Sequence, residues 1–210
     1  MHAAHFDADW YRDITEFADG FPSWLHPVLE IGTDAGQLIF AVLFVVTWWR
    51  ARRLDNHAMA LSLLAPVVTV IAYLVSETSK SVIKEERPCR TVHGVDPLAP
   101  CPEPGDWSFP SNHATIAGAC ACALAIAWPY LLRYVVPFAV ILAGSRVFVG
   151  AHYPHDVVIG LILGAVVVAV LMHLLVGPVA RLVGRLREHP RLRTVLISGD
   201  SGRHRVLSYR

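Results

Sequence analysis

The stretch Val157–Ala180, VVIGLILGAVVVAVLMHLLVGPVA, carries no Asp, Glu, Lys or Arg. Wound as an α-helix it reaches roughly 36 Å at about 1.5 Å per residue, enough to cross about 30 Å of hydrocarbon. Ala58–Val75 is a second uncharged run of this kind. Working outward, Gly36–Trp49 is apolar but short, so its helix is expected to begin near Ile31 and to place Asp34 close to an interface. Ala114–Leu132 and Tyr134–Gly144 are two further runs, separated by Arg133 with Pro129 close by, which reads as a tight turn. A chain of 210 residues, 54% hydrophobic and 17% charged, is long enough for one domain and too apolar for an ordinary soluble one. The expected architecture is all-α: a polytopic membrane helix bundle of five to six spans, with an interfacial N-terminal helix.

Lys and Arg accumulate in cytoplasmic loops, so their placement predicts orientation. Arg50, Arg52 and Arg53 follow the first span, Arg133 lies between the third and fourth, and Arg181, Arg185, Arg187, Arg191 and Arg193 follow the fifth. All share one side. The other side receives Asp7, Asp9, Asp13, Glu16 and Asp19 and the long loop from about Glu77 to Pro110, and is expected to be extracytoplasmic. The first residues are polar, so no cleavable signal is expected and the chain reads as persisting whole. Trp10, Ile14 and Phe17 recur at helical spacing opposite the acids, as in a helix lying in the interface or capping the bundle. Residues 1–188 then form one membrane domain, with an interfacial segment over about 1–30, and 189–210 form a basic, mobile cytoplasmic tail suited to anionic headgroups.

A formal net charge of +1 gives no reason to expect a nucleic-acid partner. Cys89 and Cys101 fall in the outer loop, where an oxidising environment permits a disulfide; Cys120 and Cys122 lie mid-span and read as packing residues. Neither pair has metal-ligand spacing, and no metal or other cofactor is expected.

Charged groups and histidines next to membrane spans are costly, so three clusters stand out. After the second span comes Lys80-Ser-Val-Ile-Lys-Glu-Glu-Arg87-Pro88. If the helix continues, Lys80 and Arg87 share a face two turns apart and Pro88 ends it. At the start of the third span lies Phe109-Pro110-Ser111-Asn112-His113-Ala114, where Ser111 or Asn112 reads as an N-cap and the open amides suit an anion. Before the fifth span, Ser145-Arg146 precedes His152-Tyr-Pro-His-Asp156, whose His152 and Asp156 are four apart, so a carboxylate can fix the imidazole tautomer. Singly, these features have plainer readings as snorkelling cations, helix capping and an ordinary i,i+4 pair. Topology joins them, because all three clusters emerge at span ends on one side of the membrane.

Together they suit phosphoryl transfer. Lys80, Arg87 and Arg146 offer positive charge to phosphoryl oxygens, with Ser111 and the amides around Asn112 as neutral donors. His152 reads as the nucleophile, Asp156 as its partner, and His113 as acid and then base. At these residues the chain resembles the type 2 phosphatidic acid phosphatase superfamily, whose motifs are K-x6-R-P, P-S-G-H and S-R-x5-H-x3-D. Lys80, Arg87 and Pro88 match the first; Pro110, Ser111 and His113 the second; Ser145, Arg146, His152 and Asp156 the third. Asn112 stands where the family has glycine, and asparagine tolerates the left-handed backbone that glycine allows. The resemblance implies six membrane spans and a lipid phosphate substrate, and is nearest the bacterial undecaprenyl diphosphate phosphatases. Phosphatidylglycerophosphate, phosphatidic acid and polyprenyl-phosphoribose are the other candidate substrates. Related vanadium haloperoxidases carry the same motifs in soluble domains, unlike this apolar chain. A silent lipid-phosphate binder or transporter would need the cations but not both His113 and an oriented His152.

Overall fold

The computed structural model describes residues 7–189 and 195–197. The described residues form eight α-helices: α1 (Ala8–Asp19), α2 (His26–Ala35), α3 (Gln37–Ala51), α4 (Asn56–Ile83), α5 (Pro88–Thr91), α6 (Asn112–Ala127), α7 (Leu132–Phe148) and α8 (Pro154–Glu188), with a 3₁₀ turn at Pro129–Leu131. Among them, four helical stretches are long and apolar enough to cross a membrane: His26–Ala51, Asn56–Thr91, Pro129–Phe148 and Pro154–Glu188. The shorter α6, 16 residues and about 24 Å long, is the fifth apolar helix. The first spanning stretch starts at His26 rather than near Ile31 and is interrupted only at Gly36.

Helix α6 is short because it does not meet the bilayer on all sides. It packs against α4, α7 and α8 and is rich in the small residues Ala, Gly, Thr and Cys, with Ala114, Ala117, Ala119, Ala123 and Leu124 buried. A helix apolar all round belongs at the centre of a bundle. The surrounding helices instead turn Val42, Val70, Ile141, Ile162 and Val166 outward, as lipid contact requires. Small residues let α6 and α8 approach closely. A Cβ on Gly164 would lie 2.0 Å from the Thr115 carbonyl oxygen, one on Gly118 2.3 Å from that of Leu161, and one on Gly160 2.7 Å from that of Ser111.

Helix α1 packs against α7. It turns Tyr11, Thr15 and Ala18 inward, and the Tyr11 hydroxyl donates to the Gly150 carbonyl. Trp10 is exposed, and Phe17, although largely exposed, sets its ring edge against Phe148 at the end of α7, which fits a helix lying in an interface. At the opposite end, Leu196 is buried with Ala51, Met59, Ala60 and Val183, and Arg187 donates to the carbonyls of Ala51, Leu54 and Leu196. The remainder of the expected basic tail, at 190–194 and 198–210, lies outside the described residues. Cys89 and Cys101 form a disulfide with Cα atoms 5.9 Å apart, and Cys120 is buried in the core, as its position suggests.

Because the Gly164 contact is backbone to backbone, no side chain can yield to a larger residue. Gly164→Val is expected to cost about 1–3 kcal/mol or more, read as a lower midpoint of thermal unfolding in detergent. An unchanged midpoint would mean that α6 and α8 do not meet as described.

Candidate active site

The three clusters converge on one cavity of about 370 Å³, lined among others by Lys80, Arg87, Asn112, His113, Arg146 and His152. Its scaffold is the α6–α8 contact. The Ser111 amide donates to the Asp156 carbonyl at 3.1 Å, joining the start of α6 to the first turn of α8.

Asp156 organises the floor. It is the third residue of α8, is completely buried, and accepts from the Tyr153 amide at 2.9 Å and from the Ser108 hydroxyl through one oxygen, Oδ2. The same oxygen lies 3.3 Å from His152 Nδ1. His152 is not on the helix, as the four-residue spacing suggests; Tyr153 is the N-cap and Pro154 the first helical residue. The carboxylate therefore reaches back past the helix start to hold the ring. On the other side of the imidazole, Arg87 Nη1 lies 3.1 Å from Nε2. Guanidinium only donates, so Nε2 presents its lone pair and the ring proton sits on Nδ1, facing Asp156. Burial, opposed by the Asp156 hydrogen bond, pushes the His152 pKa down to about 4. The result is a neutral imidazole with a fixed tautomer, its unprotonated nitrogen facing Arg87.

Arg87 reaches this position by a different route from the one its spacing suggests. Helix α4 ends at Ile83, with Lys84 in the left-handed conformation (φ 54°), so Lys80 and Arg87 are not on one continuous helix. Arg87 is extended (φ −68°, ψ 145°), as a residue before proline prefers, and Pro88 begins α5 instead of ending α4. The guanidinium donates to the carbonyls of Ala151 at 3.0 Å and Asp106 at 3.1 Å, and to Asp106 Oδ1 at 2.8 Å. Lys80 Nζ lies 3.6 Å from that same Oδ1. The two cations do meet, through a loop carboxylate. Burial raises the Asp106 pKa, but hydrogen bonding and charge from Arg87 and Lys80 outweigh it and hold the carboxyl below its usual range.

A second carboxylate completes a parallel arrangement. Asp34 Oδ1 lies 2.8 Å from Arg146 Nη1 and 2.9 Å from His113 Nε2. Arg146 also donates to Thr33 Oγ1, while its buried Nε has no acceptor within the described protein. Of the second motif, Ser111 is the N-cap of α6, its hydroxyl accepting from the Ala114 amide. Asn112 is the first residue of α6 and its φ is not positive, so the left-handed backbone that asparagine tolerates is not used here. Its side chain accepts from Ser76 at 2.7 Å and donates to Glu77 at 2.6 Å, tying α6 to α4 at the cavity rim.

Sequence reading did not single out Asp34, Asp106 or Ser108 as site residues. Ser108 lies three residues before Ser111 with no spacing signal of its own; Asp34 was legible only as a charge that a membrane span had to tolerate. His155 reaches outward from the site, with Asp7 at Nδ1 (3.0 Å) and Glu85 at Nε2 (2.9 Å). Glu85, His155 and Asp156 bring potential metal-ligand atoms within 4.8 Å of one another, but each ring nitrogen of His155 already faces a carboxylate, so the group reads as an ion-pair network.

The family model described as the PAP2 superfamily matches residues 61–178, more than half of the chain. An undecaprenyl-diphosphatase of Sulfolobus acidocaldarius is 38% identical over 99 residues, a match spanning 46% of this chain and 46% of that protein. The undecaprenyl-diphosphatase BcrC of Bacillus subtilis is 30% identical over 158 residues, spanning 71% of this chain and 72% of the relative. Among solved structures, a transmembrane PAP2 type phosphatidylglycerolphosphate phosphatase from Bacillus subtilis shares the fold with a TM-score of 0.58 at 22% identity, covering 81% of this chain and 87% of the other.

The environment of His152 makes a direct prediction for histidine NMR in detergent. Burial disfavours the imidazolium, so the ring should stay neutral with Nδ1 protonated through pH 5 and gain its second proton only as pH falls through about 4. A midpoint near the ordinary value of 6.5 would contradict the buried, Asp156-held ring.

Proposed function

The chain belongs to the PAP2 superfamily, and from that premise we propose that it is an integral membrane phosphatase acting on a lipid phosphate or diphosphate, with undecaprenyl diphosphate as the favoured substrate. The observation that carries the catalytic reading is the fixed tautomer of His152: a buried neutral imidazole whose Nε2 lone pair adjoins Arg87 and whose Nδ1 proton faces Asp156. The names of the Sulfolobus and Bacillus relatives support the choice of lipid.

In the proposed cycle the terminal phosphoryl group enters the cavity and takes up Lys80, Arg87 and Arg146, including the unpartnered Arg146 Nε. Arg87 Nη1 turns from His152 Nε2 to a phosphoryl oxygen, and the lone pair so released attacks phosphorus in line. The bond to the leaving oxygen breaks as protonated His113 donates to it, and a phosphohistidine forms. Positive charge developing on the imidazole is met by the Asp156 carboxylate, itself held by Ser108 and the Tyr153 amide. His113, now neutral, takes a proton from water as its oxygen attacks phosphorus; the phosphorus–Nε2 bond breaks, its electron pair returns to His152, and inorganic phosphate leaves. Both histidines return to their starting states. The three cations supply charge that a metal ion supplies in other phosphatases, so the reaction is written without one. The arginine distribution supports placing the cavity on the extracytoplasmic face, with Arg50, Arg133, Arg181 and the tail on the cytoplasmic side.

A silent lipid-phosphate binder would use the cations but would have no need of the ordered His152 ring. Detergent-purified protein, in EDTA, should release phosphate from undecaprenyl diphosphate faster than from phosphatidylglycerophosphate or phosphatidic acid, and His152→Ala should lose about a thousandfold or more. Release that survives in His152→Ala would remove the nucleophile assignment; preference for another lipid would change the substrate. No release from any of the three by folded wild type would favour the binder.

Ser108→Ala leaves Asp156 without a charge-assisted hydrogen bond of about 1.5–3 kcal/mol, so turnover should fall about tenfold or more. An unchanged rate would show that Ser108 does not hold the carboxylate during catalysis.

A further inference from the structure

The three cations assigned to the phosphoryl group, and the acid–base residue His113, are paired off by two carboxylate oxygens. Asp106 Oδ1 bridges Lys80 Nζ and Arg87 Nη2, at 3.6 and 2.8 Å. Asp34 Oδ1 bridges Arg146 Nη1 and His113 Nε2, at 2.8 and 2.9 Å. Both carboxylates line the catalytic cavity. Both are also substantially exposed, at 61% for the Asp34 side chain and 48% for that of Asp106, whereas Lys80, Arg87 and Arg146 are largely buried. Solvent-accessible anions thus stand on buried cations.

We propose that Asp34 and Asp106 are stand-ins for phosphoryl oxygens, which neutralise the resting site and keep the phosphodiester headgroups of the surrounding bilayer out of it. This inference rests on the phosphatase reading. Any anion entering the cavity must first displace the two carboxylates, so its apparent affinity is lowered by the fraction of time they stand aside. The reduction is the same for every anion, and its consequence is not. A terminal phosphate, with two charges and three free oxygens, still binds. A phosphodiester headgroup, with one charge and two free oxygens, starts weaker and is pushed beyond occupancy, although it crowds the same membrane face.

The local backbone fits a displaceable anion at Asp106. It lies in a turn closed by its amide on the Glu103 carbonyl at 3.1 Å, directly after Gly105 at φ 95°. The segment is anchored on one side by the Cys89–Cys101 disulfide and on the other by the Ser108 amide on the Glu85 carbonyl at 2.8 Å. The Asp106 main chain is held, its amide on Glu103 and its carbonyl accepting from Arg87 Nε at 3.1 Å, so it is the carboxylate alone that turns aside while Ser108, two residues on, stays on Asp156. Asp34 is at the C-terminal end of α2, next to the Gly36 interruption, and lies outside the stretch matched by the family model.

The test compares wild type with Asp34→Asn, Asp106→Asn and the double variant. Turnover of the lipid phosphate that wild type hydrolyses best is measured against added dioctanoyl phosphatidylglycerol, a phosphodiester, and against inorganic phosphate. Each single substitution should lower the half-inhibiting concentration of both by about tenfold, the scale of one charge-assisted hydrogen bond. Wild type should remain insensitive to the phosphodiester. Where a variant turns over too slowly, the rise in unfolding temperature caused by inorganic phosphate should exceed that of wild type. Unchanged inhibition and unchanged phosphate stabilisation in the double variant would overturn the inference while leaving the phosphatase reading intact. Weaker phosphate binding in the variants would also overturn it, because the carboxylates would then be positioning the cations and not competing for them. Wild type that neither turns over lipid phosphate nor binds inorganic phosphate would remove the phosphatase reading first, and this inference with it.

Discussion

A carboxylate with no solvent exposure is the constraint on which the site depends. Burying an ionised group away from water is costly unless its oxygens are hydrogen-bonded. Asp156 gathers donors from three places on one oxygen, Oδ2: its own helix start at Tyr153, the loop before α6 at Ser108, and the His152 ring; Oδ1 has no hydrogen-bond donor among the described residues and lies 3.3 Å from His155 Nε2. Satisfying one buried charge therefore fixes the entry to α8, the path of the loop into α6 and the tautomer of the histidine.

Those donors are in reach because α6 and α8 touch through their backbones. Glycine at 118, 160 and 164 brings each helix against the other's carbonyls, and the contact nearest the cavity sets Gly160 on the Ser111 carbonyl. The Ser111 amide then bonds to Asp156. Small residues that pack the apolar centre thus set, at the polar end, where His113 and His152 stand on the shared cavity. Cations arrive from the flanking elements: Lys80 from the end of α4, Arg87 from the segment after it, and Arg146 from α7.

Much of this was legible in the sequence because the bilayer punishes exceptions. Uncharged runs gave the spans, and the titratable residues left at their ends gave the site. What the spacing missed was the backbone between elements. Lys80 and Arg87 were expected on one helical face, but the left-handed turn at Lys84 breaks the helix between them, and a shared carboxylate unites them instead. His152 and Asp156 were expected on one helix, yet the histidine precedes it. The anions were least legible of all. Asp34 and Asp106 carry no motif spacing, and their relation to the cations exists only once α2 and the disulfide-bearing loop are folded over the cavity.

The central claim is that His152 forms a covalent bond to phosphorus. It is tested most directly by mixing the protein with lipid substrate labelled in the terminal phosphoryl group, quenching during turnover in alkaline denaturant, where phosphoramidate bonds survive, and locating the label by peptide mass spectrometry. The account predicts label on His152 in wild type and none in His152→Ala. Label on another residue, or turnover with no labelled protein, would contradict it.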